Sequence, residues 1–262
     1  MRRCPLLFFL LPLLFSTTSR ADLAETIERV KPAIVLVGFY SATSSPQFLL
    51  RGTGFVVADG RLVATNAHVI PEGETRNSAA AMAAPVLVVQ VRQGSVEWQM
   101  RRVEIAAIDK QHDLALLRTE GLPLPRLKLR DTAPREGQSI AFMGFPIGGA
   151  LGFSPVTHRG IIASITPIVL PSPTARQLNA TAIRRAKEGS FNIYQLDATA
   201  YPGNSGGPLF DPDSGEVLGV INMVFIKGSK ESVLSQPSGI TYAIPASHLQ
   251  ALIAATAAGH SQ

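Results

Sequence analysis

The chain has 262 residues, with 24 Lys or Arg against 19 Asp or Glu for a formal net charge of +5, and a single cysteine. Arg2, Arg3, Arg20 and that cysteine, Cys4, all fall in an amino-terminal stretch that reads as an export signal. Without it little excess charge and no basic run interleaved with aromatics remain, which argues against nucleic acid as a partner, and no thiol remains as nucleophile, disulfide or metal ligand.

The signal is read over residues 1–21: a charged start, an apolar run from Leu6 to Phe15, and small residues around Ser19-Arg20-Ala21, with cleavage after Ser19 or Ala21. The run is too short to stay behind as a spanning anchor. The mature protein is therefore expected to be exported, periplasmic or secreted, with no integral membrane anchor. About 240 residues are then left, enough to bury a core without covalent staples.

Leu23, Ile27 and Val30 recur at helical spacing and predict a short amphipathic helix ending before Pro32. Strands are expected over Ala33–Phe39, Gly52–Val57 and Arg61–Thr65, the last two joined by a tight turn at Ala58-Asp59-Gly60. Pro71 to Pro85 has no β pattern and is expected to be an exposed loop. Further strands are expected at Val86–Val91, Val96–Ile108, Leu114–Thr119, Ser139–Met143, Val156–Ile165, Ile193–Asp197, Pro208–Phe210, Val217–Ile226 and Ile240–Ile244. Thr166 to Ser190 holds Pro167, Pro171 and Pro173 and the basic residues Arg176, Arg184, Arg185 and Lys187. It is long for a connection and reads as a lid or mobile segment, its charges as a solvated face. Asn179-Ala180-Thr181 fits a glycosylation sequon, relevant only in a eukaryotic secretory pathway. Pro245 to Thr256 reads as a terminal helix with Leu249, Leu252 and Ile253 on one face, with no further domain expected after it.

About a dozen short strands separated by Gly/Pro turns predict an all-β protein, and that number suits two barrels better than one. The division is expected in the proline-containing stretch Leu122 to Glu136, giving barrels over 22–130 and 131–262, with a cleft between them as the place for a site.

Three stretches carry chemistry. Tyr201-Pro-Gly-Asn-Ser-Gly-Gly-Pro-Leu-Phe210 sets Ser205 between glycines, where a backbone must approach a substrate closely. Leu62-Val-Ala-Thr-Asn-Ala-His68 runs a strand into a turn that ends in a histidine, and Asp109-Lys-Gln-His-Asp113 opens another strand with an aspartate. A serine nucleophile needs a base, and a histidine base needs an orienting acid. His112 competes with His68 for the role of base, but neighbours in an extended segment point to opposite faces, so His112 and Asp113 are not expected at one site. His112, His158, His248 and His260 are read as structural or exposed; their spacing suggests no metal site, and no cofactor is expected.

The order His68, Asp113, Ser205 is that of the chymotrypsin-type triad. T-N-A-H, H-D-L-A-L-L and P-G-N-S-G-G-P-L together resemble the chymotrypsin-fold serine proteases, in particular the HtrA/Deg type. Gly52-Thr-Gly-Phe55, Gly144-Phe-Pro-Ile-Gly148, Val156 to Ile162, Gly219-Val-Ile-Asn222 and Gly239 to Pro245 are similar to that family's segments in the same order, so the resemblance covers most of the mature chain.

The resemblance implies two six-stranded antiparallel β-barrels with an amino-terminal and a carboxy-terminal helix, and a serine endopeptidase with His68, Asp113 and Ser205 as catalytic residues. It implies an oxyanion hole at Gly203, Asn204 and Ser205, and substrate contacts at Thr199, Ala200, Asn222, Met223 and Val224. Thr199, six residues before the serine, resembles the base of the primary specificity pocket. Lacking an acid there, the pocket is expected to take small or medium apolar side chains, because a buried cation would have no partner. Asn204 stands where digestive relatives carry the acid that pairs with a new amino terminus, so zymogen cleavage is not expected. Family members usually carry a PDZ domain after the protease, and none is read here. Protein or peptide substrates, extracytoplasmic quality control or processing, and homotrimers are what the resemblance adds. A non-turnover peptide-binding or chaperone-like protein on the same fold is the alternative.

Overall fold

The computed structural model describes residues 22–70, 85–94, 97–149, 152–168, 191–223 and 240–259. The expected signal, Val96, Val224 to Ile226, the sequon, the Pro71 to Pro85 loop except Pro85, and most of the 166–190 stretch lie outside the described residues.

Helix α1 spans Leu23–Val30 and gives way to a 3₁₀ turn, Lys31–Ala33. Lys31 keeps helical backbone angles and donates its N–H to Ile27 O, and Pro32, which has no N–H, cannot carry the ladder further. Leu23, Ile27 and Val30 lie against the core as their spacing predicts. The first barrel is closed in the order β1-β2-β3-β6-β5-β4. Its strands are β1 Ile34–Tyr40, β2 Phe48–Val57, β3 Leu62–Thr65, β4 Val86–Gln93, β5 Glu97–Asp109 and β6 Leu114–Thr119. The second is closed in the order β10-β11-β12-β9-β8-β7. It comprises β7 Ser139–Gly144, β8 Val156–Ile168, β9 Phe191–Asp197, β10 Pro208–Phe210, β11 Val217–Asn222 and β12 Ile240–Pro245, followed by helix α2, Ala246–Gly259. Every pairing within the barrels is antiparallel. The fold is the expected all-β pair of six-stranded barrels with two helices.

Several strand limits shift from expectation by one or two residues, and three shift by more. β2 starts at Phe48, four residues early, because a bulge opposite Val37 and Gly38 leaves Arg51 unpaired and lets the strand continue along β1. β8 runs on through Thr166, Pro167 and Ile168, so the stretch read as a lid begins as strand; Pro167 pairs with Asn192 near the end of the ladder, where a missing N–H costs little. β11 stops at Asn222 and Met223 is already out of the strand.

One apolar cluster crosses the seam between barrels. Leu36, Phe55, Val63 and Leu116 from the first join Met143, Phe145, Phe210, Val220 and Ile244 from the second, with Leu249 of α2. A second cluster, with Ile140, Phe142, Ile162, Leu196 and Ile221, fills the far side of the second barrel. Each large side chain buried to this degree contributes on the order of 2 kcal/mol relative to exposure. The crossing segment between β6 and β7 is tied to both sides. Leu127 N–H donates to Val56 O at 2.9 Å, Val217 N–H to Lys128 O at 2.8 Å, and the Arg130 guanidinium to Asp211 at 2.8 Å. No helix among the described residues is long and apolar enough to cross a membrane.

Candidate active site

β3 is buried along its whole length and hands the chain to Asn66 and a 3₁₀ turn, Ala67–Val69, which carries His68. That turn is fastened to the start of β6. Ala67 N–H and the Asn66 amide both donate to Asp113 O, at 3.1 and 3.0 Å. Asp113 itself sits at φ 52°, a left-handed conformation that aspartate tolerates better than most residues. Its carboxylate then faces back at the turn. Oδ1 accepts the His68 backbone N–H at 2.9 Å and Oδ2 accepts the ring Nδ1–H at 2.6 Å. Since a carboxylate only accepts, the ring proton is on Nδ1 and the Nε2 lone pair is left to face outward. The His68 side chain keeps 30% of its exposure, against 16% for Asp113.

A third donor reaches the same carboxylate from the other barrel: the Asn222 amide donates to Oδ2 at 2.6 Å from the end of β11. Asn222 is wholly buried. Its side chain is thus turned across the seam to Asp113, whereas the resemblance placed Asn222 among the substrate contacts.

His112 is accounted for separately. Its backbone N–H and ring Nδ1 bind Asp109, at 3.1 and 2.6 Å, and its ring stacks on His248 of α2 with centroids 3.9 Å apart. Two imidazoles cannot both carry charge cheaply at that distance. Burial lowers the His248 pKa first, the neighbouring His112 charge lowers it further, and Asp109 partly offsets both.

The serine loop consists of two successive turns sharing Asn204. In the first, Asn204 N–H closes onto Tyr201 O at 3.0 Å, with Pro202 second and Gly203 third at φ 104°. In the next, Gly207 N–H closes onto Asn204 O at 3.0 Å, with Ser205 second and Gly206 third at φ 85°. Both place glycine where a type II turn needs positive φ, and Pro202 stands where such a turn favours it. A side chain at Gly206 would also run into Thr53 O and the Thr65 hydroxyl.

This construction sorts the N–H groups. Those of Asn204, Gly206 and Gly207 are taken by Tyr201 O, Ile221 O and Asn204 O. Those of Gly203 and Ser205 donate to nothing among the described residues. Asn204 therefore drops out of the expected oxyanion hole as a donor, since its N–H is spent on closing the turn.

Thr53 of β2 grips the loop from the first barrel. Its N–H donates to Ser205 O at 2.9 Å, and its hydroxyl donates to Gly203 O at 2.6 Å while accepting Phe145 N–H at 3.1 Å. On the other side Ile221 O, one residue before Asn222, accepts Gly206 N–H at 2.9 Å. A Cβ on Gly52 would lie 2.9 Å from Ser205 O and 2.8 Å from the Val69 side chain, so the serine backbone abuts the turn that carries His68. The structure brings His68 into contact with Asp113 and lays the Ser205 backbone against the same seam.

Of the expected substrate contacts, Thr199 is half-buried just after β9, and Ala200 is buried with its N–H on the Thr241 hydroxyl at 3.0 Å. That hydroxyl donates in turn to Ala198 O at 2.7 Å, so the backbone from Ala198 to Ala200 is held by a buried threonine of β12. Met223 packs half-buried against the second cluster, and Val224 lies outside the described residues. Thr53, Thr241 and the side-chain role of Asn222 went unread in the sequence. Thr53 had a signal, standing between the two glycines of Gly52-Thr-Gly54; the others had none.

Residues 52–220 match the family model described as trypsin-like peptidase domain. The chain is similar to serine protease HTRA2, mitochondrial, of Bos taurus, with 29% identity over 233 residues, covering 87% of this chain and 42% of that protein. It is also similar to a probable periplasmic serine endoprotease, DegP-like, of Halomonas elongata, with 30% identity over 195 residues, covering 74% of this chain and 32% of that protein. The chain thus spans less than half the length of these curated relatives. Among solved structures, the serine endoprotease from Yersinia pestis superposes with a TM-score of 0.61 at 22% identity, covering 90% of this chain and 66% of that one. The active form of the Rv3671c protease from M. tuberculosis gives a TM-score of 0.61 at 20% identity, covering 96% and 93%. These two likenesses speak for the fold. The chain belongs to the trypsin-like peptidase domain family and, within it, to the HtrA-type serine proteases.

Proposed function

We propose that the protein is a serine endopeptidase that cleaves protein substrates through an acyl-enzyme, with His68, Asp113 and Ser205 as its triad. The observation that carries this reading is the His68 ring held by Asp113 beside a serine loop in which the Gly203 and Ser205 N–H groups donate to nothing among the described residues. Ser205 Oγ attacks the peptide carbonyl as His68 Nε2 takes its proton. The tetrahedral oxyanion is met by the N–H groups of Gly203 and Ser205, each worth about 3 kcal/mol in the transition state. The C–N bond then breaks and His68 returns the proton to the leaving amine. Water, deprotonated by the same ring, releases the acid and restores the hydroxyl. Asp113 fixes the Nδ1–H tautomer throughout, and no metal or cofactor is required.

Thr199, Ala200 and Met223 would bound a pocket for a small or medium apolar side chain, with Val224 continuing its wall. The edge of β11 would pair with the substrate backbone by strand addition. The periplasmic label of the Halomonas relative and the apolar amino-terminal run favour export and work on extracytoplasmic proteins. A homotrimer is the assembly the resemblance suggests. The test is a fluorophosphonate probe with peptide mapping. An adduct on Ser205 that is absent in Ser205→Ala and greatly reduced in His68→Ala is expected; a folded protein that takes no label is a non-turnover binder, and the reading is wrong.

A further inference from the structure

The serine loop has one side-chain contact that the chemistry above does not use. Asn204 is wholly buried, and its backbone closes both turns, with its N–H on Tyr201 O and its C=O on Gly207 N–H. Whatever holds this residue sets the directions of the peptides on either side of it, which carry the Gly203 and Ser205 N–H groups. The side-chain amide lies against Gly144, where a Cβ would sit 2.8 Å from Oδ1, and that oxygen meets no donor among the described residues. The remaining polar atom, Nδ2, is 3.4 Å from Nε2 of His158, a long hydrogen bond and the amide's one polar contact among the described residues.

His158 is well placed to be more than a filler. It stands on β8 opposite Phe142 of β7, and its ring stacks on that wholly buried phenyl with centroids 4.6 Å apart and planes 14° from parallel. The stack fixes the plane of the imidazole and so aims Nε2 at the loop. The Tyr201 ring, with its centroid 6.2 Å away, is the titratable group facing it from the loop. β7 presents only Phe142, and the strand neighbours Thr157 and Arg159 point to the other face. Burial lowers the His158 pKa, and no charged group contributes.

On the protease reading proposed above, we infer that His158 is a positioning residue of the oxyanion loop: its unprotonated Nε2 accepts a hydrogen bond from Asn204 and thereby holds the Gly203 and Ser205 N–H groups toward the substrate carbonyl. A proton on Nε2 turns the acceptor into a donor facing the amide's own N–H. The contact is then lost, or the amide turns over to present the unpartnered Oδ1, and in either case the pivot between the two turns moves. Acidification thus weakens the oxyanion loop through His158, in addition to the acid limb that a general base imposes.

The experiment compares the wild-type chain with His158→Gln, which retains an acceptor but cannot titrate, and His158→Leu, which retains only the apolar packing on Phe142. Peptide hydrolysis is followed across acid pH, and fluorophosphonate labelling and thermal melting are recorded for each protein. Wild type is expected to lose log kcat/KM with an acid slope steeper than one over the range where His158 takes its proton, adding about one to two log units of loss, and His158→Gln with a slope of about one throughout. His158→Leu should lose about 10- to 100-fold in kcat at pH 8 with KM little changed, and His158→Gln should recover most of that. A wild-type slope of one throughout, a steeper slope that persists in His158→Gln, or full kcat in His158→Leu overturns the inference. An unlabelled Ser205 in folded wild type overturns the protease reading beneath it instead. If His158→Leu melts early, the His158→Gln profile alone still decides.

Discussion

The molecule contains the same hydrogen-bonded device twice. In His68–Asp113 and again in His112–Asp109, one carboxylate oxygen accepts the histidine's backbone N–H and the other accepts its ring Nδ1 at 2.6 Å. The pairs share the β5–β6 turn, since Asp109 ends one strand and Asp113 precedes the next. What differs is the far side of each ring. His112 is closed in by the stacked His248 and by the edge of Phe191, 4.7 Å between centroids. His68 faces the seam, and its aspartate receives an additional amide from the opposite barrel. A histidine oriented by an aspartate is therefore a structural unit that a fold can use to pin a turn; only the surroundings of the free nitrogen make it a base.

Breaking the acid in each pair should separate them most sharply. Asp113→Asn is expected to lower kcat by about 10⁴-fold, since the amide favours the wrong ring tautomer, whereas Asp109→Asn should leave kcat within about threefold. Steady-state hydrolysis of one peptide by both variants reads the difference. Asn222→Ala removes the donor that only the first pair has. A hydrogen bond to a charged group is worth about 1.5–3 kcal/mol, so kcat should fall by about 10- to 100-fold with KM nearly unchanged. Asp109→Asn should instead show in stability, by about 1–3 kcal/mol on chemical denaturation, from the lost bonds that hold His112 under α2.

The smallest effect is in pH dependence. Burial and the charge of His112 hold the His248 pKa below its ordinary value of 6.5, so below that pH the unfolded chain binds the proton more readily than the folded one. Stability should fall as pH drops from 6.5 through the lowered folded value, and His248→Leu should flatten this part of the melting profile. Asp109 acts in a separate, more acidic window. Burial pushes its carboxyl up, but the His112 ring and backbone bonds, the His112 charge and the Gln111 N–H together outweigh that and hold it below 3.8. Its contribution is complete above 3.8 and is lost as pH falls through the lowered folded value.

The contrast also shows what a sequence can disclose. T-N-A-H, H-D-L-A-L-L and P-G-N-S-G-G-P-L were legible because each is a local solution: a strand end, a turn and one polar group at fixed offset. His112 and Asp113 do part, but not by the strand alternation expected, since both lie in the β5–β6 turn and Asp113 takes φ 52°; the two barrels were legible from the spacing of short strands. The Asn222 amide was not, because its partner is 109 positions away and nothing near Asn222 marks it as anything but pocket wall. The same holds for Thr53 and Gly203, 150 positions apart, and for His158 and Asn204. The Asn204 N–H was misassigned for a different reason: which amides of a double turn stay free depends on where each turn closes, which composition does not fix. Strand ends went astray at Phe48 because a bulge, invisible in the alternation, lets β2 continue.

Thr53 has a consequence for how such an enzyme would fail. It belongs to the first barrel, yet its amide and hydroxyl hold the backbone of Ser205 and Gly203 in the second. A relative shift of the two halves by an ångström or two would lengthen those bonds past usefulness while both apolar interiors stayed dry. On the proposed reading, denaturant, pressure or a wedge at the seam should silence turnover before fluorescence or circular dichroism registers any melting, so the Ser205 loop would act as a gauge of barrel alignment.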